Sequence, residues 1–449
     1  MRRDAVVVGG GIAGLVAARG LAAAGRDVLL LEGSPQVGGK LRSAEVAGLT
    51  VDVGAEAMLA RRPEGLALAE EVGAEVVHPT SAASAVWSRG ALRTMPRSLM
   101  GVPLDLDQLA ASGVLSPEGL LRARHEVDTP VGDDVSVGEL VAGRLGDELV
   151  DRLVEPLLGG VYAGHARAIS AAAAVPQLLA MARRGSLLEQ VAGLPLSTAP
   201  VFASLPGGMG RLPGLVVDGG GFEVRTAATV RALRRTPGGW AVTVGPTTHP
   251  ETVEAGSVVL ATPSVPAARL LADEVPDAAG ELAAIDTASV AVVTLAFRTR
   301  DVPGGLLDRS GFLVPPVEQR TIKASTFSFA KWAWVRELDP DVVVLRTSLG
   351  RHGEETTLQA ADDGLVRVSL TDLAAMAGIT ARPVDTHVQR WGGGLPQYAV
   401  GHLDRVARIR AAVATRPGLA VCGAAYDGVG IPAVIGSARR AVASVTRAE

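Results

Sequence analysis

Near the start of the chain, Gly9-Gly10-Gly11-Ile12-Ala13-Gly14 has the spacing of a phosphate-binding turn, and Glu32 stands where such a turn calls for an acid. In a G-x-G-x-x-G turn the first glycine, Gly9, permits the bend. Gly11 lets the backbone approach a pyrophosphate, and Gly14 lets the following helix pack close to the sheet. The helix start offers unpaired N–H groups and the positive end of its dipole to the phosphates. Glu32 is suited to accept hydrogen bonds from adenosine ribose hydroxyls. After Glu32 come Gly33 and then Gly38-Gly39-Lys40. A nicotinamide cofactor does not need this second glycine pair, whereas it suits a chain that curls back over an extended FAD. No second G-x-G-x-x-G occurs, so no separate nicotinamide site is expected. A bound flavin would then be reduced by the substrate itself.

For these residues to act together, the chain must run strand, turn, helix, strand. Ala5-Val6-Val7-Val8 is a continuous apolar run, as expected of a strand buried on both faces. An alanine-rich helix is expected from about Leu15 to Ala24, closed by Gly25, and Val28–Leu31 forms the second strand. Pro63–Glu75 reads as a helix, Trp87–Arg93 as a hairpin, and Ser116–Met181 as mostly helical. Strand patterns return over Phe222–Val244, around Pro237-Gly238-Gly239, and at Val258–Ala261, stopped by Thr262-Pro263. Val342–Leu349 and Val384–Trp391 read as strands of a second sheet. Strand Leu419–Cys422, a glycine turn and a helix from about Ala433 end the chain. Pieces of both sheets are separated by inserted segments, so the domains are interleaved. The expected fold class is α/β (α+β overall). A Rossmann-like FAD-binding domain is assigned to 1–58, 204–273 and 395–449, a mixed-sheet substrate domain to 59–88 and 274–394, and a mainly helical insertion to 89–203.

Composition narrows the function. A net charge of −4 argues against a nucleic-acid platform, and 3% aromatics against a base-stacking surface. A mean hydropathy of +0.29 raises the question of membrane insertion. The longest uncharged stretch, Gln190–Gly210, contains Pro195, Pro200 and Pro206 and would not hold a straight spanning helix. The single cysteine, Cys422, excludes an intrachain disulfide and reads as an inert buried thiol. The seven histidines show no metal-binding spacing, so no metal is expected, and no G-x-S-x-G nucleophile elbow is present.

Blocks along the whole chain carry a resemblance. They include GGGIAGL (Gly9–Leu15), VGGKLRS (Val37–Ser43), DVGAEAMLARR (Asp52–Arg62) and MPRSLMGVP (Met95–Pro103). EPLLGGVYAG (Glu155–Gly164), LPGGMGRLP (Leu205–Pro213), RWGGGLPQYAVGH (Arg390–His402) and YDGVGIPAVIGSARRAV (Tyr426–Val442) complete the set. The chain resembles the protoporphyrinogen/coproporphyrinogen oxidases, a branch of the FAD-dependent amine-oxidase-like superfamily, and most of all their Gram-positive type acting on coproporphyrinogen III. The terminal blocks are shared by the wider superfamily; the internal ones are more specific.

The resemblance implies roles. Val230 would meet the adenine, although an ordinary strand valine reads equally well. The turn at Gly423 and the run Gly428-Val429-Gly430-Ile431-Pro432 would face the flavin and its phosphates, and Gly54-Ala55-Glu56-Ala57 would pass beside the isoalloxazine. Trp391 would pack at the flavin edge or serve as a core tryptophan, and Lys40 would lie by the cofactor or solvate a loop. Glu56 is the one carboxylate placed beside the ring, as a catalytic group or a structural one. Arg61, Arg62 and, more weakly, Lys323 are the candidates for substrate propionates; the alternative for the two arginines is a solvated loop.

The implied activity is the oxidation of coproporphyrinogen III to coproporphyrin III in haem biosynthesis. It takes three two-electron steps, with dioxygen reoxidising the flavin to give hydrogen peroxide. Other readings are protoporphyrinogen IX oxidation, a flavin amine oxidase or carotenoid-type desaturase, or a flavin-binding regulator without turnover. The three tyrosines, Tyr162, Tyr398 and Tyr426, are few for an amine oxidase's aromatic cage. The insertion carries Asp105, Asp107, Asp133 and Asp134 and no evident basic apolar face for a bilayer, so a cytoplasmic enzyme is expected. It would be a monomer or homodimer in transient contact with the next haem-pathway enzyme.

Overall fold

Two mixed sheets, each assembled from distant parts of the chain, organise the computed structural model, which describes residues 2–195 and 199–446. Leu196–Thr198, within the proline-interrupted stretch, lie outside the described residues.

The first sheet grows from strand Arg2–Val8. Val28–Leu31 pairs parallel on one side and Glu251–Leu260 parallel on the other. Short strand Glu223–Arg225 extends the sheet parallel beyond Val28–Leu31. Glu251–Leu260 is longer than the Val258–Ala261 run suggested because its edge away from Arg2–Val8 serves two further partners in succession. Its first half pairs antiparallel with Gly239–Val244, and its last residues pair parallel with Leu419–Val421. Both faces of the sheet are covered at its centre. Ala5, Val6, Val7 and Leu29 are fully buried, which is why these strands read as unbroken apolar runs.

Helix Ile12–Ala23 starts three residues earlier than expected, because Gly11, extended at φ −69°, is already its N-cap. Gly25 follows its end at φ +79°. The helix lies against the C-terminal helix Ile431–Thr446 so closely that a Cβ on Gly20 would sit 3.2 Å from Val442. Helix Pro63–Glu71 is shorter than expected, since the chain turns at Gly73 with φ +66°.

The second sheet runs in the order Asp385–Pro396, Thr287–Arg298, Val342–Leu349, Ile322–Thr326, Arg309–Leu313, Ala83–Ser88 and Ala91–Thr94. Its longest members are Asp385–Pro396 and Thr287–Arg298, and the latter has a buried apolar alternation that the sequence reading passed over. Pairing with it carries the strand expected over Val384–Trp391 on to Pro396. Two elements pack across the assigned boundaries. Helix Pro276–Ala283 packs in one core with Trp240, Val406 and Ile409 on the cofactor side, and Ala91–Thr94 belongs to the second sheet.

The insertion is mainly helical from Leu106 to Ala192 and is pinned by one arginine. Arg144, 1% exposed, pairs with Glu126 at 3.1 Å and Asp128 at 3.0 Å. It also donates to the carbonyls of Thr129, Ala182 and Gly185. A buried guanidinium is tolerated when both terminal nitrogens are filled in this way, although Nε has no partner among the described residues. Asp134 ties the insertion to the cofactor side by accepting from Ser170 Oγ and the Gly401 N–H. No helix among the described residues is long and apolar enough to cross a membrane.

The tightest approach in the first sheet is at Gly14, where a Cβ would fall 1.8 Å from the Gly9 carbonyl oxygen. Gly14→Ala is therefore expected to force the helix off the turn at a cost of about 3 kcal/mol. Urea unfolding of the flavin-free protein reads this; an unchanged midpoint would contradict the close packing.

Candidate active site

The phosphate-binding turn has the geometry its glycines require. Gly9 sits at φ +106°, and a Cβ there would lie 2.8 Å from the Ala261 carbonyl oxygen. A Cβ on Gly10 would come within 2.9 Å of Glu32 Cβ. A Cβ on Gly11, by contrast, would meet no protein atom within 4 Å, because Gly11 opens onto a cavity. Glu32 accepts the Gly10 N–H at 2.6 Å through Oε2 and the Ser34 N–H at 2.7 Å through Oε1. Each oxygen retains a lone pair for a further donor. The second glycine pair folds back over the first turn: the Gly38 N–H reaches the Gly10 carbonyl at 2.7 Å, and a Cβ on Gly39 would lie 3.3 Å from Gly11 Cα.

The cavity measures about 1030 Å³ and lies beyond the carboxyl ends of the parallel strands, where open α/β sheets bind ligands. Gly9, Gly11, Ile12, Ala13, Glu32 and Gly33 line it from the first motif. Gly39, Lys40, Ala55 and Ala57 do so from the next segments. Val230 and Trp391 reach it from the middle of the chain, and Gly423, Val429, Gly430 and Ile431 from its end. Val230 sits at a register irregularity in its strand. Trp391 is set opposite Val290, beside another irregularity, and the Arg42 guanidinium lies 5.7 Å from its ring centroid. Lys40 is half-buried in the cavity wall, and burial lowers its pKa.

Gly10, Gly14 and Gly54 shape the site from behind rather than line it. A Cβ on Gly54 would lie 2.0 Å from the Lys40 carbonyl oxygen and 3.2 Å from Trp391. The two wall segments thus touch through a glycine.

Glu56 requires a correction. Ala55 and Ala57 face the cavity and Glu56 turns away, buried against a pair of half-buried cations. Lys331 Nζ donates to Oε1 at 2.7 Å, Arg346 reaches Oε2 at 2.7 Å, and Ser328 Oγ lies 3.2 Å from Oε2. Burial pushes the carboxyl pKa up, but Arg346 and Lys331 outweigh it and hold it at about 2. The partners of this carboxylate are side-chain cations. Arg346 also donates to the carbonyls of Asp52 at 3.1 Å and Gly54 at 2.8 Å, fixing the segment whose alanines form the wall.

The substrate candidates need correcting as well. Arg61 and Arg62 lie outside the cavity, and Arg62 caps helix Pro63–Glu71 on the surface with its guanidinium 2.8 Å from Glu64. Lys323 is also outside it, buried behind the insertion helix Glu155–Tyr162 in a small separate void. Strand Ile322–Thr326 turns this side chain inward, which an apolar–polar pattern alone did not reveal. Cys422 is buried, and burial first of all pushes its thiol up to about 12, in keeping with an inert role. No group of three metal-ligating side chains occurs among the described residues.

Sequence reasoning missed other walls. Thr262 and Ser264 line the cavity, each with a buried hydroxyl that lacks a partner among the described residues, and Gly160 and Val161 line it from the insertion. The stop Thr262-Pro263 after an apolar strand was the available signal for the first pair.

The family described as flavin-containing amine oxidoreductases matches residues 12–446. The chain belongs to that family. It is 39% identical to the coproporphyrinogen III oxidase of Mycobacterium tuberculosis, over 99% of this chain and 98% of the relative. It is 29% identical to the Bacillus subtilis enzyme of the same name, over 98% and 97%. A crystal structure from Exiguobacterium sp. 255-15, assigned as a protoporphyrinogen oxidase, superposes with a TM-score of 0.87 at 31% identity, covering 100% of this chain and 99% of that one.

As a flavin-containing amine oxidoreductase the chain uses FAD, and the site fits the group. The Gly11 opening, the free lone pairs of Glu32 and the unpartnered hydroxyls of Thr262 and Ser264 offer space and polar contacts along one continuous cavity.

Two outcomes are expected. A Cβ at position 11 meets no described atom within 4 Å, so the Gly11→Val apoprotein should fold and melt close to the wild type while losing its flavin absorbance; full flavin content would exclude a cofactor at this turn. Glu56→Gln should cost about 3 kcal/mol near neutrality by leaving two half-buried cations undercompensated. A carboxylate whose folded pKa is depressed to about 2, from an ordinary value of 4.5, stabilises the fold above the higher value and ceases to as pH falls through the lower one. The gap between wild type and Glu56→Gln in urea midpoints should therefore close between those two pH values. A gap constant with pH would refute the ionised cluster.

Proposed function

We propose that the chain oxidises coproporphyrinogen III to coproporphyrin III, in three two-electron steps, as part of haem biosynthesis. The observation that carries this reading is the near full-length 39% identity to enzymes of that name. The character of the cavity supports it. Lys40, Ala55, Ala57, Gly160, Val161 and Trp391 contribute a largely apolar lining with one amine and neither a carboxylate nor a histidine. A porphyrinogen becomes aromatic on losing hydrogens, so its oxidation is downhill and needs positioning and exclusion of competing reactions more than acid–base catalysis.

When bound, FAD supplies the acceptance of two electrons per step and passes them to dioxygen, giving hydrogen peroxide. The chain's own residues hold and orient. We assign Gly9, Gly10, Gly11 and Gly14 with Ile12 and Ala13 to the pyrophosphate turn, and Glu32 and Gly33 with Val230 to the adenosine part. Gly39, Lys40, Gly54, Ala55, Ala57, Trp391, Gly423, Val429, Gly430 and Ile431 are assigned to the remaining length of the cofactor. Arg346 and Glu56 keep the Gly54–Ala57 wall in place. Lys40 brings a half-buried amine, its pKa lowered by burial, to the same region.

An amine-oxidase reading loses its support at the tyrosines. Tyr162, Tyr398 and Tyr426 are all buried in cores, and none lines the cavity. Tyr398 instead donates to the Ala424 carbonyl and accepts the Gly428 N–H at 2.8 Å, bracing the cofactor turn. The reading further places the enzyme in the cytoplasm, as a monomer or homodimer that hands its product to the next haem-pathway enzyme.

The purified holoprotein in air should convert coproporphyrinogen III to a fluorescent porphyrin with release of peroxide. It should do so faster than it converts protoporphyrinogen IX, and it should leave simple amines untouched. No porphyrin above the spontaneous rate would leave only the non-catalytic regulator. Arg62→Ala should leave KM for both porphyrinogens within about twofold of wild type, because its partner is Glu64 on the surface. A selective rise for the four-propionate substrate would restore the propionate role.

A further inference from the structure

Behind the main cavity, on the other side of helix Glu155–Tyr162, lies a second void of about 10 Å³. Gly160 and Val161 of that helix line the main cavity, while Glu155, Pro156 and Gly159 line this one. Pro156 has no N–H to give, and the helix widens over the preceding turn, Val150–Val154. The opposite wall is Val314, Pro316, Lys323 and Arg351.

One of the charges here is left without a partner. Lys323 is 5% exposed, and no described residue forms a hydrogen bond or ion pair with its amino group. Arg351, 6% exposed, is its like-charged neighbour. Arg351 donates to the Val314 carbonyl at 3.1 Å, and Glu354 stands 3.6 Å from it at the surface. Glu155 is the acid that lines the void, but its oxygens already receive the Ala166 N–H at 2.6 Å and His165 Nδ1 at 3.0 Å. A buried ammonium with no partner is costly, and two facing cations compound the cost.

We propose that this void is a binding site for a single monoatomic anion of the chloride class, held between Lys323 and Arg351. Its space suits a guest the size of one water or one monoatomic ion better than a phosphate or sulfate. Ammonium and guanidinium groups are donors only, so the guest that satisfies them is an acceptor without hydrogens of its own to place. Apolar walls of Val314, Pro156 and Pro316 suit a weakly hydrated ion. The site is separate from the cofactor cavity and does not depend on which substrate that cavity takes.

Protonation couples to binding. Burial, followed by the Arg351 charge, lowers the Lys323 pKa to about 7, so the amine loses its proton within the neutral range when the void holds no anion. The charged groups facing it are Arg351 and Glu155, the latter with His165, whose pKa is raised first by its bond to Glu155. Halide affinity should therefore fall about tenfold from pH 6 to pH 8, the loss following deprotonation of Lys323.

The test uses the holoenzyme. Crystals grown with sodium bromide should show an anomalous peak between Lys323 Nζ and Arg351. The melting temperature should rise with bromide or chloride, more at pH 6 than at pH 8, and less with gluconate at equal ionic strength. Lys323→Met should remove both the peak and the halide response while the flavin absorbance remains. Where that variant does not fold, the wild-type peak and the pH dependence decide alone. Water instead of bromide in the void, a halide response no larger than that of gluconate, or a response unchanged in Lys323→Met would overturn the proposal.

Discussion

The contact between helix Ile12–Ala23 and the turn before it sets the position of everything downstream. With only a hydrogen on Gly14, the helix start can sit against the Gly9 carbonyl, and its N–H groups then point past the ends of the parallel strands. Gly38 and Gly39 close over that turn, and the C-terminal helix packs beside the first helix, bringing Gly430 and Ile431 to the same cavity. A bulkier residue at this one point would separate the walls contributed by chain segments hundreds of residues apart.

The other end of the cavity is held by charge rather than by close packing. Arg346 and Lys331 come from the second sheet and its flanking helix, Glu56 and two carbonyls from the first domain. The cluster therefore fastens the substrate-side sheet to the cofactor-side wall at the place where they meet. Buried ion clusters contribute little net stability, but removing one member leaves the others stranded. The arrangement fixes geometry at a wall where Ala55 and Ala57 present no acid or base. That suits a reaction driven by aromatisation, in which the protein mainly has to hold its reactants.

The helical insertion takes part in both cavities. One face of Glu155–Tyr162 reaches the cofactor cavity and the other covers the void at Lys323. Asp134 and the Ser170 N–H bind the insertion back to the Tyr398–Gly401 segment, whose tyrosine braces the turn near Gly428. Packing at the insertion and geometry at the cofactor turn are thus mechanically linked.

Local signals were sufficient wherever the backbone itself does the work. The strand–turn–helix at residues 5–31, the second glycine pair, the fold class and most cavity-lining glycines were legible because a positive φ or a close approach favours glycine, and a twice-buried strand favours apolar side chains. The directions of individual charged side chains were not legible. Glu56, Arg62 and Lys323 each lie in or beside segments read as belonging to the site, yet one turns to half-buried cations, one to a neighbouring surface acid, and one into a separate void. A carboxylate or guanidinium goes to whichever opposite charge the fold brings near it, and Arg346 and Lys331 are about 290 and 275 residues from Glu56. Strand Thr287–Arg298 and the boundaries of both domains likewise depend on partners supplied from elsewhere. Sequence determined the cofactor turn, because its constraints are local and steric. Tertiary structure decided which charges face the chemistry, because electrostatic partners are chosen by distance in space.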